Sequence, residues 1–264
     1  MQIKARVIKN SRNEDAIEVI VDKKYVSSAP SGASTGKHEV KSFVKDIKYS
    51  VDYINKKLNL QGIKFEEFND LEIFDSLISE IGGNPVVALQ GAILKKMSDN
   101  NVHSFLSNKK KFPIPLGNCI GGGAHTKYIS TDIQEFLLIS FEKSFVDRVK
   151  LSRHIYDYIG KVTKAKKKTD EGAFVLGKTD TEVLDFLCGV VDKYKDEGYK
   201  IEFGLDIAAT QFYKNKKYIY NNFSPCSKKE VLSKAEQIMF VNEMIKDYDL
   251  SYVEDPLNEE DFYG

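Results

Sequence analysis

Two short apolar segments that end in acidic residues constrain the fold of this chain more than any other feature. Ile201 to Asp206 reads IEFGLD, and Leu250 to Asp255 reads LSYVED. Apolar runs of this length with β-branched and aromatic side chains are typical of buried strands. Carboxylate oxygens at strand ends are the ligands that Mg²⁺ prefers. The pattern therefore predicts a sheet that carries acidic side chains, and a metal site, at one edge.

Strands and helices alternate along the chain from Pro113 onward. Two more strands are predicted at Ile114 to Ile120 and Gln134 to Ser140. Apolar residues at helical spacing predict three amphipathic helices. The first carries Phe145, Val149, Tyr156 and Ile159, and the second carries Val183, Leu187, Val190, Val191 and Tyr194 and ends with Gly198 as its C-cap. The third follows a capping box at Ser227 to Glu230 and carries Leu232, Ala235, Ile238 and Met239. This alternation predicts parallel β/α units.

Length limits how much of a barrel these units could form. A complete (β/α)₈ barrel takes about 250 residues, and only about 150 follow Pro113. Four strands are visible, so we expect a half barrel at most. Its two open edges would invite association with another chain.

The first part of the chain has a different pattern. Ile3 to Asn10 and Ala16 to Asp22 flank a turn and predict a β-hairpin. A helix is predicted up to about Leu58, and a second is predicted with Asn84 as its N-cap, Pro85 at its first position, and Val87, Gly91 and Leu94 along one face. Strands followed by helices indicate an α+β domain. The Lys109 to Lys111 run suggests a linker, so we predict domains at 1–112 and 113–264.

Composition excludes several classes of protein. The 264 residues contain 39 Lys and Arg and 39 Asp and Glu, so net charge gives no general attraction to nucleic acid or anionic membrane. No segment approaches the roughly 18 apolar residues of a membrane span, and the start lacks the apolar core of a signal peptide. Cys119, Cys188 and Cys226 have no metal-binding or disulfide spacing. We expect a reduced, cytoplasmic protein.

Several motifs in order along the chain resemble those of the enolase family. They are Ser11-Arg12, APSGASTGKHEV from Ala29, IGGNPVVAL from Ile81, GGGAH from Gly121, DIQEFLLI from Asp132, TDEGAF from Thr169, GLDIAATQFY from Gly204 and YVEDPLNEEDFY from Tyr252. The resemblance extends over nearly the whole chain. It implies an α/β fold in which an N-terminal α+β capping domain precedes an enolase-type β/α barrel, here incomplete.

The resemblance also implies an activity and roles for individual residues. Enolases are Mg²⁺-dependent hydro-lyases that convert 2-phosphoglycerate to phosphoenolpyruvate and water in glycolysis and gluconeogenesis. Asp206 and Glu254 would bind the tighter Mg²⁺. Glu171 would be the general acid, assisted by Glu135. The substrate-binding residues would be His125, Gln134, Glu135 and Ser34, and Ser34 would also reach a second Mg²⁺.

Each of these residues has a simpler interpretation. Asp206 could cap a helical turn that begins near Ala208, and Glu254 could be a plain strand terminus. His125 could satisfy a glycine-rich turn, and Gln134 and Glu135 could form an exposed strand end. The glycine-rich segment that carries Ser34 could be an ordinary surface loop.

The chain also departs from the family pattern. The segment Lys164 to Lys168, KAKKK, precedes the Asp170-Glu171 turn. Cations beside Glu171 would lower its pKa, which is unfavourable for a general acid, unless the loop directs the lysines outward. In the family, the third carboxylate ligand, the lysine base and the phosphate-binding arginine and serine follow the EDP motif. This chain has no counterpart of them.

These observations support three hypotheses about function. The chain could be a shortened or split enolase that is inactive or weakly active until a complementary half-barrel chain supplies the missing groups. It could instead be a non-catalytic enolase relative that binds a partner through its open barrel edge, and a homodimer through the first domain is also expected from the resemblance. RNA binding through KAKKK is a third hypothesis, for which a single short run is weak support.

Overall fold

A computed structural model describes residues 1–30, 32, 35–109, 111–222 and 230–264. The chain divides into two compact units, Met1–Lys111 and Phe112–Gly264. Ser34, Cys226 and the predicted cap at Ser227 lie outside the described residues. No described helix has the length and apolar character that a membrane crossing requires.

The first unit contains a three-stranded antiparallel sheet with helices packed on it. Its strands, in spatial order, are β1 (Ile3–Lys9), β2 (Asp15–Val21) and β3 (Tyr25–Ser28). Its helices are α1 (Ile47–Lys56), α2 (Ile78–Ile81), α3 (Gly83–Met97) and α4 (Val102–Leu106), and a 3₁₀ helix spans Phe68–Leu77. Alternate residues of β2, Ile17, Val19 and Val21, are fully buried in the core of the unit. The predicted hairpin and the helix before Leu58 are confirmed.

The predicted start of α3 is wrong. Gly82, not Asn84, is the N-cap, with a positive φ of 100°. A Cβ at Gly82 would collide with the backbone of Ser42, so glycine suits this position both sterically and conformationally. The amide of Asn84 instead donates to the Pro30 carbonyl at 3.4 Å. Val87 is 54% exposed, whereas the buried face carries Val86, Leu89, Ala92 and Ile93.

The second unit is built around a four-stranded sheet with helices on one face. Its strands are β4 (Leu116–Gly121), β5 (Glu135–Ser140), β6 (Ile201–Asp206) and β10 (Tyr252–Glu254), in the spatial order β10-β6-β5-β4. The main helices are α5 (Phe145–Thr163), α6 (Asp180–Asp196) and α7 (Lys234–Asp247), and short 3₁₀ helices span Gly123–His125 and Ala209–Phe212. A small antiparallel sheet is formed by β7 (Tyr213–Lys214), β8 (Lys217–Tyr220) and β9 (Glu230–Leu232).

Within the described residues this sheet is open, which confirms the predicted class of an α+β domain followed by an incomplete barrel. The prediction of parallel units throughout is wrong, however. β4 and β6 are both antiparallel to β5, and among the paired strands that the structure describes in this sheet only β6 and β10 are parallel. The connection from β4 to β5 contains one short 3₁₀ helix, too short to return the chain to the other end of the sheet. Two long helices, α5 and α6, separate β5 from β6. The chain therefore runs the length of the sheet twice between these strands, which leaves β5 and β6 antiparallel.

The helices of this unit follow the sequence pattern in part. All five predicted apolar residues of α6 are buried, and Gly198 follows its C-cap with a φ of 92°. In α5 only Ile159 of the predicted set is fully buried, and Leu151 and Ile155 complete its inner face. The third helix begins at Lys234 after a capping box of Ser233 and Glu236. Glu230 and Leu232 belong to β9, Met239 is 62% exposed, and the inward residues are Gln237, Val241 and Met244.

Candidate active site

Three acidic residues from neighbouring strands form a row across one end of the second sheet. Glu135 of β5 is in register with Asp206 of β6, and Asp206 is in register with Glu254 of β10. Directly opposed residues on paired strands project from the same face of a sheet. The structure therefore brings three predicted site residues together. They come from segments that are far apart in the sequence.

Burial and mutual repulsion perturb this acidic row. Burial is the largest cause that raises the pKa of Glu135 to about 8, and the neighbouring Glu171 is the next cause. Burial and the charge of Glu254 raise the pKa of Asp206 to about 6, although a hydrogen bond from Gln134 opposes the rise. Such shifts mean that negative charge is costly here. A cation bound in this region would relieve the repulsion.

The turn that carries Asp170 and Glu171 lies beside the row and is held by His125. Nδ1 of His125 is 2.8 Å from Oδ1 of Asp170 and 4.0 Å from Oε1 of Glu171. The backbone N–H of Asp170 also donates to the His125 carbonyl at 3.3 Å. His125 is buried, so these contacts hold its ring in a defined position.

One set of described residues has the spacing of a metal site. The ligand atoms of His125, Glu135 and Glu171 lie within 4.8 Å of one another. This set differs from the predicted ligands Asp206, Glu254 and Ser34. Glu135 connects the two sets, because it belongs to this group and is also in register with Asp206. His125, Glu135, Glu171, Asp206 and Glu254 together form one carboxylate-rich region.

Glutamine side chains link the row to the glycine-rich turn before β5. Nε2 of Gln134 donates to Oδ2 of Asp206 at 2.9 Å. Nε2 of Gln211 donates to Oε1 of Gln134 at 2.5 Å, and Oε1 of Gln211 accepts from the backbone N–H of Ala124 at 3.0 Å. This chain of hydrogen bonds positions Gln134 beside the row and fixes the orientation of its amide. Its predicted role in substrate binding stays a prediction.

Sequence reasoning missed two residues that orient predicted site groups. Gln211 lies within the GLDIAATQFY motif, and this membership was its only signal. Asn118 lies three residues before the GGGAH motif, and its Nδ2 donates to Oε2 of Glu171 at 3.3 Å. Neither residue has a pattern of its own, since each becomes informative only through a contact more than 50 residues away.

The lysines before Glu171 make contacts that the sequence did not reveal. Nζ of Lys167 lies 4.0 Å from the centroid of the Tyr128 ring. Nζ of Lys168 lies 5.2 Å from the Tyr156 centroid and 5.0 Å from that of Phe174. Among the described residues no ion pair joins these lysines to Glu171. The cations therefore stabilise the turn through aromatic rings rather than through the predicted acid.

The comparisons with known proteins agree with the motifs. The family model "Enolase, C-terminal TIM barrel domain" matches residues 109–264. The enolase of Archaeoglobus fulgidus is 31% identical in an alignment of 281 positions, which covers 98% of this chain and 68% of the relative. The enolases of Methanothermobacter thermautotrophicus and Thermoplasma acidophilum are 32% and 31% identical and are covered over 68% and 69% of their lengths. The chain thus spans about two thirds of these relatives. It belongs to the enolase family.

Proposed function

We propose that this chain supplies the acidic part of an enolase active site, which dehydrates 2-phosphoglycerate to phosphoenolpyruvate. The observation that carries the proposal is the row of Glu135, Asp206 and Glu254, with the Asp170-Glu171 turn beside it. Family membership supports the choice of reaction. The simpler interpretations of these acids, as caps or plain strand ends, do not account for their alignment.

The donor set fits a hard divalent cation. Its groups are carboxylate oxygens, and the raised pKa values of Glu135 and Asp206 indicate unbalanced negative charge. Asp206 and Glu254 would hold Mg²⁺, which when bound would neutralise charge that develops on the substrate carboxylate. His125 already contacts Asp170 through Nδ1, so we assign its Nε2 to the substrate. The proposed contact of Ser34 with a second cation remains a prediction.

Proton transfer to the departing hydroxyl is assigned to Glu171, assisted by Glu135. With a pKa of about 8, Glu135 holds a proton at neutral pH and shares a hydrogen bond with Glu171. That proton would leave with the substrate hydroxyl as water. The family's lysine base, third carboxylate ligand and phosphate-binding residues follow the EDP motif. We propose that further polypeptide, in a second chain or a continuation of this one, supplies them.

A complementation assay tests this proposal. The full chain is incubated with 2-phosphoglycerate and Mg²⁺, alone and with a fragment of Archaeoglobus fulgidus enolase that covers the part this chain does not match. We expect Mg²⁺-dependent phosphoenolpyruvate formation only in the mixture. Glu171→Gln should lower its rate by about 10² to 10⁴, the usual contribution of a positioned acid. Glu243→Gln, an exposed glutamate of α7, is the matched control. A folded, soluble complex without turnover would contradict the proposal.

A non-catalytic binding role is the second candidate, favoured by the open sheet. β4 and β10 are its edge strands, and Leu116 of β4 is 43% exposed. Unpaired edges readily join another chain. Light scattering over a range of concentrations tests this role: association together with no turnover in any mixture would support it, whereas a strict monomer would contradict it.

A further inference from the structure

Gln237 of α7 is a fully buried polar residue that joins two parts of the second unit. Its Oε1 accepts a hydrogen bond from the hydroxyl of Tyr220 at 2.9 Å, and its Nε2 donates to the carbonyl of Pro256 at 2.9 Å. Burial of an amide is unfavourable unless its polar atoms are paired, so both bonds stabilise this arrangement. The proposed reaction makes no use of Gln237, and its position inside the unit calls for another explanation.

Tyr220 determines the orientation of the Gln237 amide. The side chain of Tyr220 is also fully buried, and burial raises the pKa of its hydroxyl well above the ordinary value. The hydroxyl therefore keeps its proton and donates it to Oε1 of Gln237. An amide turned by 180° would place its oxygen against the carbonyl oxygen of Pro256, and neither atom carries a proton. The amide nitrogen thus faces Pro256.

The carbonyl of Pro256 belongs to the turn that follows Glu254, a proposed Mg²⁺ ligand. Three successive carbonyls of this turn accept hydrogen bonds. The carbonyl of Glu254 accepts from the N–H of Ile207 at 3.0 Å. The carbonyl of Asp255 accepts from the N–H of Ala209 at 3.0 Å. These two bonds join the turn to the segment that follows β6, whereas the bond from the buried glutamine joins it to α7.

The backbone of this turn is strained and needs such support. Asp255 has a φ of 45°, and Ala208 in the facing turn has a φ of 49°. Residues other than glycine persist in this left-handed region only where the surrounding structure holds them there. Pro256 has no N–H, so its carbonyl is the one backbone group through which it can be hydrogen-bonded. Loss of that bond would allow the turn to relax and Glu254 to move with it.

We propose that Gln237 is a positioning residue that holds the turn after Glu254 and thereby sets the affinity of the site for Mg²⁺. This inference rests on the proposed assignment of the cation to Asp206 and Glu254. Mg²⁺ demands near-ideal octahedral geometry, so a small displacement of one carboxylate lowers its affinity. Because its amide bonds are directed to Tyr220 and Pro256, Gln237 acts through the backbone and not as a ligand.

Three variants separate the bond to Pro256 from the stability of the buried network. Gln237→Leu removes both hydrogen bonds of the amide, whereas Tyr220→Phe keeps the bond to Pro256. The double variant Tyr220→Phe/Gln237→Leu replaces both partners of a buried hydrogen bond by apolar groups, which is often nearly neutral for stability. It keeps the test open where Gln237→Leu alone does not fold. Circular dichroism checks that each variant is folded.

The first measurement is the Mg²⁺ dissociation constant of the full chain, by isothermal titration calorimetry without substrate. Gln237→Leu and the double variant should weaken binding about tenfold, the lower end of the usual effect of removing a group that orients a metal ligand. Tyr220→Phe should stay within about threefold of wild type, because the bond to Pro256 remains. Tyr248→Phe is the matched control, since its hydroxyl donates to Asp185 at 2.8 Å at the other end of α7. Its affinity should remain within about twofold of wild type.

The second measurement needs no metal. Amide hydrogen exchange by NMR reports on the N–H groups of Ile207 and Ala209, which donate to the turn. In Gln237→Leu these two amides should exchange about tenfold faster relative to the amides of α6, because the turn opens without the whole unit unfolding. In Tyr248→Phe they should change no more than the rest of the unit. A merely structural role of Gln237 would accelerate all of these amides alike.

Several results would overturn the proposal. They are equal Mg²⁺ affinity in the wild type, Gln237→Leu and the double variant; an equal loss of affinity in Tyr248→Phe; and no selective acceleration at Ile207 and Ala209. Absence of Mg²⁺ binding by the wild type would overturn it together with the assignment of the cation to Asp206 and Glu254. Failure of the complementation assay with these contrasts intact would instead contradict only the proposed reaction, so the two failures are distinguishable.

Discussion

At the residue scale, the candidate site depends on how its acids are surrounded. Glu135 is half-buried beside three other carboxylates, which raises its pKa to about 8. Asp206 belongs to the same row, but the amide of Gln134 donates a hydrogen bond to its carboxylate. This bond limits the rise in the pKa of Asp206 to about 6. Neighbours therefore give two acids of one row different charges at neutral pH.

The first prediction concerns the pH dependence of stability in the metal-free protein. The pKa of Glu135 is raised from 4.5 to about 8 on folding, so the folded state binds its proton more tightly. The stabilisation that Glu135 gives the folded state is fully present below about pH 4.5 and is lost as the pH rises through 8. Asp206 affects stability in the same direction but over a lower pH range, because its pKa is raised from 3.8 to about 6.

Denaturant unfolding between pH 5 and 9 checks this prediction. The free energy of unfolding of the wild type should fall over this range, and Glu135→Gln should reduce the fall above pH 6. The remainder is expected from Asp180, because burial also raises its pKa to about 8. Glu243→Gln should leave the profile unchanged, because that residue is exposed. Parallel profiles for the wild type and Glu135→Gln would contradict the assigned pKa.

At the element scale, local sequence signals set the ends of helices where a side chain caps them directly. The capping box of Thr179 and Glu182 begins α6, and that of Ser233 and Glu236 begins α7. The prediction that α7 begins after Ser227 was wrong, because the pattern S-x-x-E occurs twice in this region, at Ser227 and at Ser233. The β9 strand that intervenes is stabilised by pairing with β8, which is a long-range property.

The second prediction tests the cap of α7. Ser233→Ala should lower the free energy of unfolding by about 1 kcal/mol, since the side chain of Ser233 accepts from the N–H of Glu236 at 3.4 Å. Ser233→Asp keeps an acceptor at the same position and should remain close to wild type. Chemical denaturation of the three proteins gives the comparison, and an alanine variant as stable as the wild type would rule out this helix start.

The third prediction concerns the contact between β6 and β10. A Cβ at Gly204 would lie 2.5 Å from the Tyr252 carbonyl oxygen, so Gly204→Ala must separate the two strands. We expect a loss of about 1–3 kcal/mol, as is usual for overpacking. Gly189→Ala should gain up to about 1 kcal/mol, because it replaces an exposed helical glycine. Equal stability of the two variants would show that β10 does not pack here.

At the scale of the whole molecule, the acidic row lies on the open sheet of the second unit. The chain spans about two thirds of its enolase relatives, and its second unit carries the row on two parallel strands and one antiparallel strand. A cation that binds only the folded row stabilises the whole unit by linkage.

The fourth prediction is that Mg²⁺ raises the thermal unfolding midpoint. A free Mg²⁺ concentration of 100 times the dissociation constant should add about 2.7 kcal/mol to the free energy of unfolding. Asp206→Asn should remove most of this gain, because it deletes a proposed ligand and a negative charge from the row. Differential scanning calorimetry with and without Mg²⁺ checks it, with Glu243→Gln as the control. An undiminished gain in Asp206→Asn would place the cation elsewhere, for example at His125, Glu135 and Glu171.

The sequence by itself determined the nature of most elements and the family. The alternation in β2, the apolar stripe of α6 and the order of the enolase motifs are local or linear properties that the chain carries in any conformation. The same holds for the candidate residues Asp206, Glu254 and Glu171, which stand in motifs. Backbone periodicity and steric preference are sufficient to identify such features.

Only the tertiary structure decided strand direction, the grouping of side chains and their charge. The antiparallel β5, the contact of His125 with Asp170, the lysines on aromatic rings and the raised pKa of Glu135 all depend on residues distant in sequence. Register across strands sets which side chains meet, and burial sets the free energy of their ionisation. Both are properties of the folded chain as a whole, because a local pattern specifies neither its distant neighbours nor its access to water.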